Sequence, residues 1–221
     1  MNKTKFRKQL FLSSAALIIA LVQVIPYIVA QTIVVSLDLK TYDLTLPIDL
    51  KIPLIPAFII IYLGWFFFLA IEYISVSKDI DSYDKFLTAS AIGGAVCFVL
   101  FVVYPVEMVR PEIPQTGLFV PLMNVTYSAD HPVNLFPSMH CFASWMCFIS
   151  NRAKQAGSKF RVAISLSMTI LICLSTLFVK QHIVLDVVSG IALAELCYAV
   201  ARIRGFSHPA RKFYKLLGKL I

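Results

Sequence analysis

Charge is what this sequence has least of. Only 14% of its 221 residues are Asp, Glu, Lys or Arg, while 59% are hydrophobic and the mean hydropathy is +0.81. Soluble domains carry roughly 25% charged residues, so a soluble globular domain is excluded and the chain reads as an integral membrane protein. Metal-site signatures are also missing. The five cysteines, Cys97, Cys141, Cys147, Cys173 and Cys197, lie in apolar runs without paired ligand spacing, and read as small buried side chains. There is no HExxH helix, Walker loop or Rossmann fingerprint. Internal repeats and low-complexity tracts are absent too, which removes the usual sequence sign of a transporter built from two halves.

What is present is a series of long apolar runs. About 20 residues cross the hydrocarbon core as a helix. On that measure residues 10–35, 54–76, 86–106, 137–156, 162–179 and 183–201 are six predicted helices. The fold class is therefore all-α, a six-helix membrane bundle in one domain covering 1–221. The fourth helix has a short apolar part, so its start is expected to lie below the membrane surface. Gly93 and Gly94 on the third suit close helix contact. Residues 36–53 read as an interfacial loop, 77–85 as a polar turn, and 204–221 as a basic tail on the membrane surface. Residues 107–136 form the longest polar loop, and a loop of that length is more often functional than filler. Glu72 and Tyr73 sit near the inner end of the second helix, where snorkelling is possible.

The 20 basic residues are distributed unevenly. Four precede the first helix, two lie between the second and third, four lie in the basic turn 151–161 around the end of the fourth, and six follow the sixth, so 16 of the 20 fall on one side. Cytoplasmic loops carry the excess of Lys and Arg. Both termini are therefore placed in the cytoplasm, and the net charge of +8 follows from topology and calls for no nucleic-acid partner. Lys40, Lys51, Arg110 and Lys180 are left on the outer side.

Three short clusters share that outer side, in the motif-bearing part 104–190. Arg110 and Pro111 follow the third helix. Pro137, Ser138 and His140 open the fourth. Lys180 and His182 precede Asp186 at the sixth. Each suits a phosphate ester. An arginine fork holds two phosphate oxygens. Ser138 at a helix start adds a hydroxyl to backbone donors that favour an anion. Lys180 adds a point charge. If the third cluster is helical, His182 and Asp186 lie one turn apart on one face. The carboxylate then fixes the imidazole tautomer and leaves the other nitrogen to attack phosphorus. His140 can protonate the leaving oxygen and then serve as base. The cations and backbone donors carry the transition-state charge, so the scheme needs no metal and no cofactor.

These blocks resemble the three signature blocks of the type-2 phosphatidic acid phosphatase superfamily, over roughly residues 100–200. The resemblance implies a six-helix membrane fold and a metal-independent histidine mechanism. Its first block usually has a lysine seven residues before the arginine, where this chain has Val103. Its third block usually begins Ser-Arg, where this chain has Ser175 and Thr176. With these departures the chain looks closer to the branch containing inositol phosphorylceramide synthases, which transfers a phospho-headgroup between lipids or alcohols.

The expected function is a membrane phosphatase or phosphotransferase working through a phosphohistidine on a lipid phosphate: a phosphatidic acid-like lipid, a prenyl diphosphate or a phospholipid headgroup. His182, His140 and Asp186 are catalytic; Arg110, Ser138 and Lys180 bind phosphate. Water and a second lipid compete as acceptor, and a non-catalytic lipid-phosphate binder or transporter is the rival class. Asp130 and His131 read as a solvated loop, and Tyr104, Tyr127 and Trp145 as interfacial or core aromatics.

Overall fold

The computed structural model describes residues 23–76, 79–153 and 158–203. The first half of the first predicted helix, the basic N-terminal residues and the basic tail lie outside them.

Seven α-helices are present among the described residues: α1 (Gln23–Ser36), α2 (Ile59–Val76), α3 (Ile80–Val103), α4 (Val120–Ala129), α5 (Met139–Ala153), α6 (Lys159–Phe178) and α7 (Val184–Ala201). Four of them, α2, α3, α6 and α7, are long and apolar enough to cross a membrane. They keep large apolar side chains on the surface, among them Phe67 at 77% exposure, Ile71, Val99 and Leu196. An apolar surface of this extent fits a lipid surround.

Helix α5 is the centre of the bundle. It packs against α2, α3, α6 and α7, and a helix enclosed by others is buried on every side. Its Phe142 and Met146 are fully buried, with Trp65, Tyr73, Phe86, Phe101, Ile172 and Tyr198 in the same core. At 15 residues it is about 22 Å long, shorter than a bilayer core of about 30 Å. All five cysteines are buried and free.

Two glycines let helices approach α5, and they differ from the residue beside one of them. A Cβ on Gly93 of α3 would lie 2.1 Å from the ring of Phe142, whereas one on Gly94 meets nothing nearer than Gln23 at 4.0 Å. Gly93→Ala is therefore expected to cost about 1–3 kcal/mol by overpacking, and Gly94→Ala to be near neutral. Thermal melts of the two variants in one detergent check the asymmetry. The second glycine, Gly190 on α7, belongs to the site.

Several expectations are corrected. The segment read as a long polar loop contains α4. A stripe of Val120, Met123 and Thr126 is buried, and Pro121 sits in the first turn, where its missing N–H costs nothing. The Ile80–Val103 helix starts inside the predicted polar turn because Asp79 caps it, its carboxylate accepting from Asp81 N at 3.3 Å. The 36–53 loop is partly ordered as strand. β1 (Tyr42–Asp43) pairs in parallel with β2 (Val106–Glu107), Tyr42 opposite Val106, and a bridge joins Val106 to Asn134. Glu72 does not snorkel. It is buried and accepts from Asn151 of α5, which also donates to Ser165 of α6 at 3.3 Å. Asp130 is not a solvated loop residue. Its carboxylate accepts from Tyr27 at 2.6 Å and Gln31 at 3.0 Å, tying α1 to the end of α4.

Candidate active site

Helix α6 ends in a turn that sets up the third motif. Gln181 N donates to Thr176 O at 2.9 Å and Lys180 N to Leu177 O at 3.2 Å, the bond pair of a Schellman cap. Lys180 occupies the left-handed position at φ 54°, where glycine is usual. The chain is thereby turned back, and His182 N also donates to Thr176 O at 3.2 Å. Ile183 is then anchored in an apolar cluster with Val106, Met108 and Leu135.

His182 is not on α7. The helix begins at Val184 with Ile183 as its N-cap, so the histidine and aspartate pair through the cap and not as neighbours on a helix face. Asp186, in the first turn, accepts Ile183 N at 3.0 Å and lies 3.2 Å from His182 Nδ1, both through Oδ2. A carboxylate is favoured at a helix N-terminus, and as a partner of Nδ1 it favours the imidazole tautomer that leaves the lone pair on Nε2. Asp186 is fully buried and His182 nearly so.

Ser138 precedes α5 and caps it, its hydroxyl accepting Cys141 N at 3.4 Å. Its own backbone N–H donates to Asp186 O at 3.0 Å, which fastens the start of α5 to the first turn of α7. That contact depends on Gly190, since a Cβ there would lie 2.6 Å from Ser138 O and 3.2 Å from Cys141 Cβ. The result places the His140 and His182 rings 5.7 Å apart between centroids, inclined at 63°. His140 also packs against Tyr62, stacked at 4.6 Å, and Trp65, at 4.3 Å. Two imidazoles at this separation can reach one tetrahedral group.

Arg110 joins from the loop after β2. It donates to the carbonyl oxygens of Asp130, at 2.6 Å, and Tyr127, at 3.4 Å, and to Gln181 Oε1. Its guanidinium lies 4.7 Å from the centroid of the Tyr127 ring. Tyr127 in turn donates to Val179 O at 2.9 Å, and burial pushes its phenol up to about 12, so it stays a donor. Lys180 reaches elsewhere: its Nζ donates to Asp49 O at 2.9 Å. Burial pushes this ammonium down from the usual lysine range, with the Asp49 carboxylate opposing.

The geometry thus brings His140, His182, Asp186 and Ser138 into direct contact. Arg110 is linked to them through Gln181, and Lys180 through its place in the turn, its ammonium being held by Asp49. Two residues that sequence reasoning passed over take part. Asp49, buried, accepts Val184 N at 2.8 Å and Leu46 N at 2.8 Å, so a loop acid from before α2 caps the first turn of α7. Nothing in its local sequence separates it from a solvated loop acid. Gln181 was visible in the motif, but a glutamine beside a histidine announces no chemistry.

A family model described as the PAP2 superfamily matches residues 52–200, more than half of the chain. No curated protein and no solved structure matches it.

Proposed function

The chain belongs to the PAP2 superfamily, a membership that suggests phosphatase-type activity, and from that premise we propose that it is a metal-independent membrane phosphatase or phosphotransferase of lipid phosphates. One observation carries the reading: the His140 and His182 rings lie 5.7 Å apart between centroids, edge to face, while Asp186 holds Nδ1 of His182. His182 Nε2 attacks phosphorus, and a P–N bond forms as the P–O bond to the lipid breaks. The leaving oxygen takes the proton of His140. His140, now neutral, accepts a proton from the incoming water or alcohol, whose oxygen bonds to phosphorus as the P–N bond breaks. His182 is then restored. Arg110, Ser138 and Lys180 hold the phosphate oxygens and carry the developing charge.

The Lys and Arg count supports an extracytoplasmic position for this chemistry, with both termini in the cytoplasm. A second reading, headgroup transfer as in the inositol phosphorylceramide synthase branch, is favoured by the fate of two positions. Val103, in place of a lysine, is 73% exposed, and Thr176, in place of an arginine, is fully buried. With Lys180 standing in for one of the two, a site one cation short suits a singly charged phosphodiester better than a doubly charged monoester.

The testing experiment is a panel of labelled phosphatidic acid, prenyl diphosphate and phosphatidylinositol, each with and without a lipid alcohol, on purified protein with chelator present. Turnover is expected despite the chelator. Free phosphate or free headgroup phosphate indicates hydrolysis; a new labelled lipid indicates transfer. Activity that vanishes with chelator and returns with a divalent ion contradicts the metal-independent scheme.

Lys180 separates folding from binding. Lys180→Gly relieves the left-handed strain and is expected to leave the melting temperature unchanged or raised. Its kcat/KM should fall roughly tenfold or more, the loss of one charge-assisted bond to phosphate. Unchanged kcat/KM would restrict Lys180 to holding Asp49.

A further inference from the structure

Gln181 sits at the junction of Arg110 and His182, and no motif assigns it a task. The residue is 2% exposed. Arg110 Nη2 donates to its Oε1. A guanidinium has only donors, so the amide must turn its oxygen to Arg110, and its NH2 group is thereby fixed as the other face. That Nε2 has no hydrogen-bond partner among the described residues, and neither does Arg110 Nε. Buried donors in native folds are paired, so two unpaired donors on adjoining groups call for one acceptor between them. The backbone holds the residue in register with the nucleophile, because Gln181 N and His182 N share the carbonyl of Thr176, at 2.9 and 3.2 Å. Thr176 supplies no donor itself: its hydroxyl donates to Cys173 O at 2.8 Å.

We propose that Gln181 is a phosphate-binding residue, its Nε2 donating to a phosphoryl oxygen beside His182 while Arg110 sets the orientation of the amide. The inference rests on the phosphate site proposed above. It makes Arg110 and Gln181 one unit, a cation that points a neutral donor, and gives the third block a buried donor beside Lys180.

The rival role is structural, an acceptor that merely positions Arg110. Gln181→Glu tells the two apart, because the carboxylate still accepts from Arg110 but replaces the donor with a negative charge. Purified full-length protein in detergent is titrated with orthovanadate, a phosphate mimic, and turnover of the best substrate of the lipid panel is followed in parallel. Gln181→Glu is expected to weaken orthovanadate binding by roughly 10- to 100-fold, the range for a lost hydrogen bond to a charged group, and at least as much as Gln181→Met. Binding as in the wild type for Gln181→Glu, with or without a loss in Gln181→Met, overturns the proposal. If Gln181→Glu does not fold, Gln181→Met is measured in the Arg110→Met background. A further loss there supports direct binding, and a silent substitution overturns it. His182→Ala is run alongside. Full turnover in that variant defeats the parent mechanism. An inactive His182→Ala beside an unimpaired Gln181→Glu defeats this assignment alone.

Discussion

Replacing His182 with alanine is expected to lower turnover by at least about 10²–10⁴, the range for a lost nucleophile or acid–base group, with the melting temperature little changed. The ring sits before the first turn of α7 and is not its cap. That cap, from Asp186 to Ile183 N, survives the substitution. His140→Ala should lose a similar factor for a different reason. It removes the proton donor to the leaving oxygen, so part of the activity should return with an aryl phosphate whose leaving group needs no proton. His182→Ala should show no such recovery. Kinetics of both variants on a lipid phosphate and on an activated aryl ester separate the two roles. Equal recovery in both variants contradicts the assignment of nucleophile and acid.

The second large effect is expected at a residue that has no side chain. Gly190→Ala puts a methyl group 2.6 Å from Ser138 O, an oxygen that accepts Phe142 N at 2.9 Å. The obstacle is backbone, so α7 must move away from α5. Overpacking of this kind costs about 1–3 kcal/mol, but the loss of activity should be larger. His140 stands at the start of α5, while His182 and Asp186 belong to the turn entering α7, so any separation of the helices opens the gap between the two imidazoles. A misplacement of about 1 Å can cost about 10²-fold. Val188→Ala, on the same helix at 57% exposure, should be silent in both respects. Wild-type turnover in Gly190→Ala would contradict the tight contact between α5 and α7.

The sequence carried the helical spans and the motif residues because each depends on local pattern. Apolar length located α2, α3, α6 and α7 to within a few residues. Deviations came where polar residues continue a helix, as at Asp81 and Ser82, or where prolines delay one, as with Pro56 in a 3-10 turn ahead of Ile59. Helix α4 was missed because its buried stripe is short and surrounded by polar residues, which makes its periodicity weak. The His182–Asp186 pair was foreseen for an incomplete reason, since four-residue spacing also fits a capped N-terminus. What local pattern could not convey were the long-range ties. Asp49 reaches Val184 across 135 positions, and Arg110 reaches Gln181 across 71. Nothing in the local sequence of either acceptor or donor announces its distant partner, and only the tertiary fold brings them together.

The most direct measurement is a rapid quench of the purified protein with ³²P-labelled lipid phosphate, followed by peptide mapping. The mechanism predicts acid-labile, base-stable label on His182, absent from His182→Ala. Turnover with no labelled protein, or label on any other residue, would contradict it.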